Sequence, residues 1–592
     1  MGNNHTGVRS TVGLRDVVRA LPGLARDMPG IVRNVGALLT SPDSKRSVGL
    51  VFQEAAHRHP DQCFVRFEGR DYSYGEANTI VNRYASVLVG YGVQRGDVVG
   101  IMLTNRPETL LLILATVKLG ATAGMLNHHQ RADVLAHSIG LLRSRVLVVG
   151  SECRAAVDEL RALSTVVVAA EDLEQASHSV SADDPEVCAE ITAAERAFLV
   201  FTSGTTGLPK ASVMSHQRWS KSFAGFGGAG VRLRARDTLY CCLPLYHNNA
   251  LTVALSSVLA GDATLALGRK FSASRFWPDL IGNQATAFVY VGELCRYLLN
   301  QPAEATDRRH QVRVMVGNGL RPELWDAFRE RFGVRRIVEF YGASEVPLAF
   351  INIFNADKTA GFGALPYAVV EYDNETGRAS RGPDGRLRRV GRGKVGLLLS
   401  KITARTPFDS YTDEEAGEQK LVRDAFEAGD VWFDTGDLVL DQGLNHIAFV
   451  DRLGDTFRWK GENVATTEVE AVIAAEDTID QAAVYGVAIP GADGKAGMAA
   501  VTLRQGACFD GAGLAQRLYQ RLPFYAVPLF ICVVDELEQT STFRSRKVEL
   551  RKAGYSSEVD GRLYVLEGRD NGYIDAYDGY ATEVAEGKRP QP

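Results

Sequence analysis

Residues 197–210 read Ala-Phe-Leu-Val-Phe-Thr-Ser-Gly-Thr-Thr-Gly-Leu-Pro-Lys. The first five form an apolar run of the length and bounding that mark a buried strand. Behind it, positions 202–207 hold two glycines and four hydroxyls, followed by Pro209 and Lys210. Glycine lets the backbone approach an anion closely, and successive N–H groups can form an anion-binding concavity. The hydroxyls of Thr202, Ser203, Thr205 and Thr206 add donors around Gly204 and Gly207, and Lys210 adds a charge. This reads as a phosphate-gripping loop, although it lacks the Gly-Lys-Ser/Thr ending of the P-loop NTPase pattern. A Ser/Thr/Gly linker would share the composition but seldom follows a buried strand directly.

On either side of that join, helix and strand patterns alternate from about residue 47. Ser73 and Glu76 form a capping box ahead of Ala77, Ile80, Val81, Tyr84, Leu88 and Tyr91, which recur at helical spacing. Residues 98–103, 145–149 and 165–168 read as short buried strands. Such alternation predicts an α/β chain with largely parallel sheets covered on both faces. Between about 355 and 430 the texture turns to glycines, arginines and short apolar runs, predicting a β-rich, barrel-like subdomain. A boundary is expected at residues 451–454. The expected domains are an N-terminal arm (1–46), a large domain (47–451, β-rich over about 355–450) and a small α+β lid domain (452–592). The last thirty residues are polar and expected to fray.

The chain is 592 residues long, more than one ordinary core can use. A net charge of −5 argues against nucleic acid as the main partner. Its eight cysteines are scattered without a Cys-x-x-Cys pair, which favours a reducing, cytoplasmic setting and no zinc site. The strongest apolar run, 110–117, is too short to span a bilayer, and no secretory signal is visible. Residues 1–6 fit the loose myristoylation pattern, which short sequences often match by chance.

Residues 8–40 differ in kind. Apolar residues such as Leu14, Leu21, Val32 and Leu39 alternate with Arg9, Arg15, Arg19, Arg26 and Arg33, opposed only by Asp16 and Asp27. Pro22 and Pro29 are expected to break the segment into short helices. Two readings stay open: a basic amphipathic arm at the inner face of an anionic membrane, or a helical arm packed on the main domain.

Two further segments carry chemistry of their own. Tyr341-Gly342-Ala343-Ser344-Glu345 follows the apolar run 337–340. An aromatic can stack on a base, a hydroxyl can contact phosphate, and Glu345 can hold Mg²⁺, which prefers oxygen ligands. Gly317-Asn318-Gly319 follows a strand-like run, and its paired glycines would let a flat ring lie against the backbone.

Residues 202–210 with their flanks resemble the AMP-binding signature of the acyl-adenylate-forming superfamily, and the later segments follow in that superfamily's order. The resemblance implies that residues 317–319 and Tyr341 contact adenine, with Gly342 and Ser344 in the same motif. It implies that Asp437 accepts both ribose hydroxyls and that Arg452 grips the same ribose. Gly454 would be the hinge of a small domain that swings between half-reactions, and Lys460-Gly461 the loop shaping a coenzyme A channel. His247 matches a residue near the acyl carboxylate, without a proton-transfer role. Lys547 matches the catalytic lysine, though Arg546 stands where a small residue usually precedes it.

Residues 290–299, 317–325, 341–345 and 454–463 more closely resemble the fatty acid transport protein and very-long-chain acyl-CoA synthetase branch. The implied activity is an AMP-forming fatty acid–CoA ligase using ATP, Mg²⁺ and coenzyme A. A ligase for sterol or bile-acid side chains, an acyl-AMP ligase loading a carrier protein, and a non-enzymatic fatty acid transporter are the competing readings.

Overall fold

In the computed structural model, the described residues are all except 1–8, 10, 161–162, 203–208, 343–347, 374–377, 404–416, 454–455, 461, 493, 540–546, 556–560 and 591–592. They fall into two compact units, one within residues 12–365 and 406–419 and one within 1–11, 366–405 and 420–592.

The first unit contains two mainly parallel sheets. One has six strands in the order Val166–Ala169, Val146–Val149, Val98–Met102, Thr122–Met125, Arg196–Thr202 and Lys210–Ser215. All neighbours run parallel except the last pair. The second sheet has a parallel centre ordered Arg336–Gly342, Val314–Asn318, Ala287–Val291, Thr238–Cys241, Thr264–Leu267 and Cys63–Phe67. Central strands such as 98–102, 146–149 and 287–291 are buried at every position. That is why they read as unbroken apolar runs rather than alternating ones. Ser73 caps the helix Tyr74–Gly90 by accepting from the Glu76 amide at 3.1 Å. The run 110–117 lies in Pro107–Lys118, a helix buried at every position but Glu108.

Pro22 and Pro29 do not break the N-terminal segment: Leu14–Val35 is one helix of 22 residues. Both prolines are exposed, so the carbonyls they leave without an amide partner can be hydrated. Lateral ties also hold the helix across them. Asp27 pairs with Arg234 at 2.8 Å, and Arg33 with Asp262 at 3.0 Å.

In the second unit, Tyr367–Val370, Val395–Lys401, Val431–Gly443 and His446–Arg452 pair antiparallel in that order, with Leu421–Arg423 also on the long strand. Leu397, Leu399, Trp432 and Leu438 pack beneath them. The expected barrel-like closure is not found among the described residues: these strands form an open sheet. A five-stranded sheet follows, ordered Ile479–Ala488, Lys495–Leu503, Phe530–Val533, Arg562–Gly568 and Gly572–Asp575. Contrary to the expected fraying, residues 563–590 are ordered elements and turns. They supply two of those strands and the helix Tyr580–Ala585, anchored by buried Tyr580, whose hydroxyl donates to Leu566 O at 2.6 Å. A few well-spaced aromatics outweigh the segment's polar average.

Candidate functional site

In the first unit Thr202 ends a strand of the six-stranded sheet, and Gly317, Asn318, Tyr341 and Gly342 end parallel strands of the second sheet; such C-terminal strand ends are where open α/β sheets bind ligands. Thr202 ends its strand and pairs in register with Lys210, so the hydroxyl-rich loop joins two antiparallel strands. Ser203, Gly204, Thr205, Thr206 and Gly207 lie outside the described residues, as do Ser344 and Glu345. Gly317 and Asn318 end one strand of the second sheet, and Tyr341 and Gly342 end its neighbour. His247 follows the strand Thr238–Cys241 by six residues.

The glycine loop is built by close backbone approach. A Cβ on Gly317 would sit 2.2 Å from Tyr290 O, and one on Gly292 only 1.7 Å from Gly319 O. Gly319 has φ +84°, in the left-handed region that glycine adopts without strain. Asn249, in a π-helical turn Asn249–Ala254, donates to Asn318 Oδ1 at 2.8 Å and so ties the His247 segment to the loop. Such π-turns cluster at functional sites.

Below the loop sits a residue that sequence reasoning passed over. Glu339 is 7% exposed. Its Oε1 accepts from the Gly319 amide at 2.5 Å and the Leu320 amide at 3.2 Å, and its Oε2 accepts from the Tyr290 hydroxyl. Burial raises its pKa to about 8, outweighing the pull of those three donors. The signal was available, since a glutamate stands inside the apolar run 337–340 and strands rarely bury one without a task.

The folded chain therefore keeps the Glu339 proton where the unfolded chain, near the ordinary value of 4.5, has released it. Stability from this group is full below about pH 4.5 and declines by roughly 1.4 kcal/mol per pH unit until about pH 8. Glu339→Gln keeps the shape but cannot ionise. Thermal unfolding of the variant should show a visibly flatter decline between about pH 5.5 and pH 8 than the parent. Parallel curves would refute the assignment.

His247 is part-buried, and the loss of solvent around it lowers its pKa to about 4, so it is neutral at physiological pH. Its ring packs on Tyr246 at 4.7 Å, and Tyr246 meets His128 edge-on at 5.3 Å.

In the second unit, Asp437 and Arg452 are register partners on adjacent antiparallel strands. Arg452 Nε donates to Asp437 Oδ1 at 3.1 Å, with Asp437 buried and Arg452 57% exposed. Gly436, at φ +71°, turns the chain just before Asp437, and the Asp437 amide donates to Thr435 Oγ1 at 3.1 Å. Lys460 and Gly461 are the two residues between paired Trp459 and Glu462, with Lys460 exposed at φ +52° and its ammonium 5.6 Å from the Phe524 ring centre. The flanking strands Phe457–Trp459 and Glu462–Val464 pair antiparallel, and Gly454 and Gly461 lie outside the described residues.

Lys547 opens the helix Lys547–Ala553. Its Nζ lies 2.7 Å from Glu470 Oε1 and donates to Thr466 Oγ1 at 2.9 Å, both on the helix Thr466–Ala474. Glu470 also accepts from the Val484 amide at 2.9 Å. Neither Glu470 nor Thr466 stood out in the sequence.

Comparison with known proteins bears on this arrangement. The AMP-binding enzyme family matches residues 52–387, and the AMP-binding enzyme C-terminal domain matches residues 468–544. The medium/long-chain fatty acid–CoA ligase FadD6 of Mycobacterium tuberculosis is 56% identical over 596 residues, covering 100% of both chains. Long-chain fatty acid transport protein 2 of Rattus norvegicus is 37% identical, covering 89% of each chain. In three dimensions, ATP-bound MatB from Rhodopseudomonas palustris superposes with a TM-score of 0.71 at 23% identity, over 86% of this chain and 99% of its own, which shows a shared fold. By these matches the chain belongs to the AMP-binding, acyl-adenylate-forming enzyme family, in the branch that holds these fatty acid–CoA ligases and fatty acid transport proteins.

Proposed function

We infer that the chain is an ATP-dependent fatty acid–CoA ligase acting on medium- to very-long-chain acids. The observation that carries this reading is the full-length 56% identity to a medium/long-chain fatty acid–CoA ligase. A fatty acid carboxylate attacks the α-phosphorus of ATP, forming an acyl–phosphate bond and releasing pyrophosphate. The thiolate of coenzyme A then attacks the acyl carbon of the mixed anhydride, and AMP leaves. Two steps are needed because a carboxylate is a poor electrophile until its oxygen is joined to phosphorus.

In this reading Thr202, Ser203, Gly204, Thr205, Thr206, Gly207 and Lys210 hold the phosphates. Gly317, Asn318, Gly319, Tyr341, Gly342 and Ser344 hold adenine and the neighbouring phosphate, while Asp437 and Arg452 hold ribose. Lys547 stabilises charge at the reacting phosphorus, and Lys460 and Gly461 meet coenzyme A. Glu345 would hold Mg²⁺, which neutralises charge on the triphosphate. Among the described residues no cluster of three or more His, Cys, Asp or Glu could bind a metal ion, and Glu345 is not among them.

His247 lines the acyl site in this reading, and being neutral it positions the acid rather than moving a proton. His247→Gln should raise KM for the fatty acid by about tenfold, the weight of one hydrogen bond, with an unchanged kcat–pH profile from about pH 6 to pH 8. A lost limb in that profile would give His247 a catalytic proton instead.

The decisive assay incubates the protein with ATP, coenzyme A and a series of fatty acids from medium to very long chain, with mass spectrometry of products. Acyl-CoA with AMP supports the reading, and the preferred length appears directly. Acyl-AMP without acyl-CoA would favour carrier-protein loading. Activity only on sterol-derived acids would move the substrate class, and no adenylate at all would favour a transporter. Among the described residues no helix is long and apolar enough to cross a membrane.

A further inference from the structure

The N-terminal helix Leu14–Val35 is amphipathic in the inverted sense. A helix folding onto its own domain turns its apolar stripe inward and its charges out. Here the inward face carries Asp16 and Asn34, both buried, together with Asp27. Asp16 accepts from the Gly13 amide at 2.9 Å, Asp27 pairs with Arg234, and the Asn34 side chain donates to Ala260 O at 3.0 Å. The helix packs against Phe223–Val231, approaching so closely that a Cβ on Gly228 would lie 2.8 Å from Asn34 Cβ.

The outward face is a row of apolar side chains. Leu14, Val18, Leu21, Met28, Val32, Val35 and, past the helix end, Leu39 recur at alternating steps of four and three, with Ala25 filling the one gap. Leu14 is 72% exposed, Val32 62% and Leu39 82%. A folded chain does not expose so long a contiguous apolar strip without something to cover it. Arg15, Arg19 and Arg26 lie exposed along one edge of the strip, one or two helix positions from its apolar members. Both acids of the helix are turned inward, so the outward surface is apolar with a purely cationic margin.

From this geometry we propose that the outward face of residues 14–39 docks on an anionic lipid bilayer, lying in the plane of the interface. The apolar strip enters the acyl boundary, and the arginine edge meets lipid phosphates, which supply the opposite charge. The helix is held to the nucleotide-binding unit by Asp27–Arg234 and Arg33–Asp262, so docking would bring that whole unit to the surface. The inference deepens the ligase reading, because a membrane is where a long-chain acid is dissolved, but its test does not depend on catalysis.

Full-length protein is floated with vesicles of phosphatidylcholine alone or mixed with phosphatidylglycerol. The parent should float with the anionic vesicles. L21E/V32E should weaken partitioning by about a hundredfold, since each substitution removes roughly a tenfold gain from one buried side chain. R15S/R19S/R26S should lose the preference for anionic over neutral vesicles. All five positions are exposed, so thermal unfolding should be unchanged, which separates lost docking from lost folding. The proposal is overturned if the parent stays in solution or if L21E/V32E floats like the parent. It is equally overturned if light scattering shows a parent dimer that L21E/V32E converts to monomer, because a second copy would then cover the strip.

Discussion

Replacing Lys547 by alanine should slow acyl-adenylate formation by about two to three orders of magnitude, the scale lost when one preorganised charge donor is removed from a transition state. Thioesterification of supplied acyl-AMP should change only a few-fold, because the charge that forms at phosphorus in the first half-reaction does not form again in the second. ATP–pyrophosphate exchange reads the first step, and acyl-CoA formation from acyl-AMP reads the second. The environment of Lys547 sharpens the test. Its ammonium is held between Glu470 and Thr466, so to reach a phosphate it must give up an ion pair of 2.7 Å.

Removing the lysine also leaves the Glu470 carboxylate buried with less compensation, and breaking such pairs typically costs about 3–5 kcal/mol. A folding defect would depress both half-reactions alike and must be separated from the chemical one. Glu470→Gln provides that separation. It loosens the lysine without removing it, so adenylation should survive while thermal stability drops. Arg544→Ala and Arg546→Ala are the companion controls, because both stand beside Lys547 in the sequence. If either arginine variant, rather than Lys547→Ala, selectively stops pyrophosphate exchange, the lysine assignment is wrong.

The parts that sequence disclosed were those where one local pattern carries the meaning. Five apolar residues before a glycine- and hydroxyl-rich loop gave the strand ending at Thr202, and 98–102 and 146–149 announced themselves as runs buried on both faces. Partnerships across the fold were not legible. Glu339 looked like part of an apolar run, and only parallel pairing with Val314–Asn318 places it under Gly319. Glu470 and Lys547 are 77 residues apart by number, and no periodicity relates them.

The N-terminal helix departs from its sequence reading for a different reason. Sequence displays only proline's local penalty, whereas ties through Asp27, Arg33 and Asn34 keep Leu14–Val35 continuous. The polar tail's average hides its order, since buried Tyr573 and Tyr580 anchor it from within a polar stretch. Both departures arise where a few long-range contacts outweigh a local average.

Asp437→Ala should reduce kcat/KM for ATP by two to three orders of magnitude. A hydrogen bond to a charged group is worth about 1.5–3 kcal/mol, and the proposed role gives this carboxylate two, one to each ribose hydroxyl. KM for the fatty acid and for coenzyme A should stay within a few-fold. The ion pair with Arg452 is a weak competing explanation, because with the arginine 57% exposed its contribution to stability is small. Asp437→Asn keeps the volume and one acceptor oxygen, so it should recover part of the loss. A cycle with 2′-deoxy-ATP and 3′-deoxy-ATP isolates the contact itself. Each missing hydroxyl should weaken the parent enzyme's use of ATP by about tenfold or more, whereas the alanine variant, having no acceptor left to disappoint, should treat all three nucleotides nearly alike. Equal discrimination by parent and variant would place the ribose elsewhere and detach Asp437 from the nucleotide.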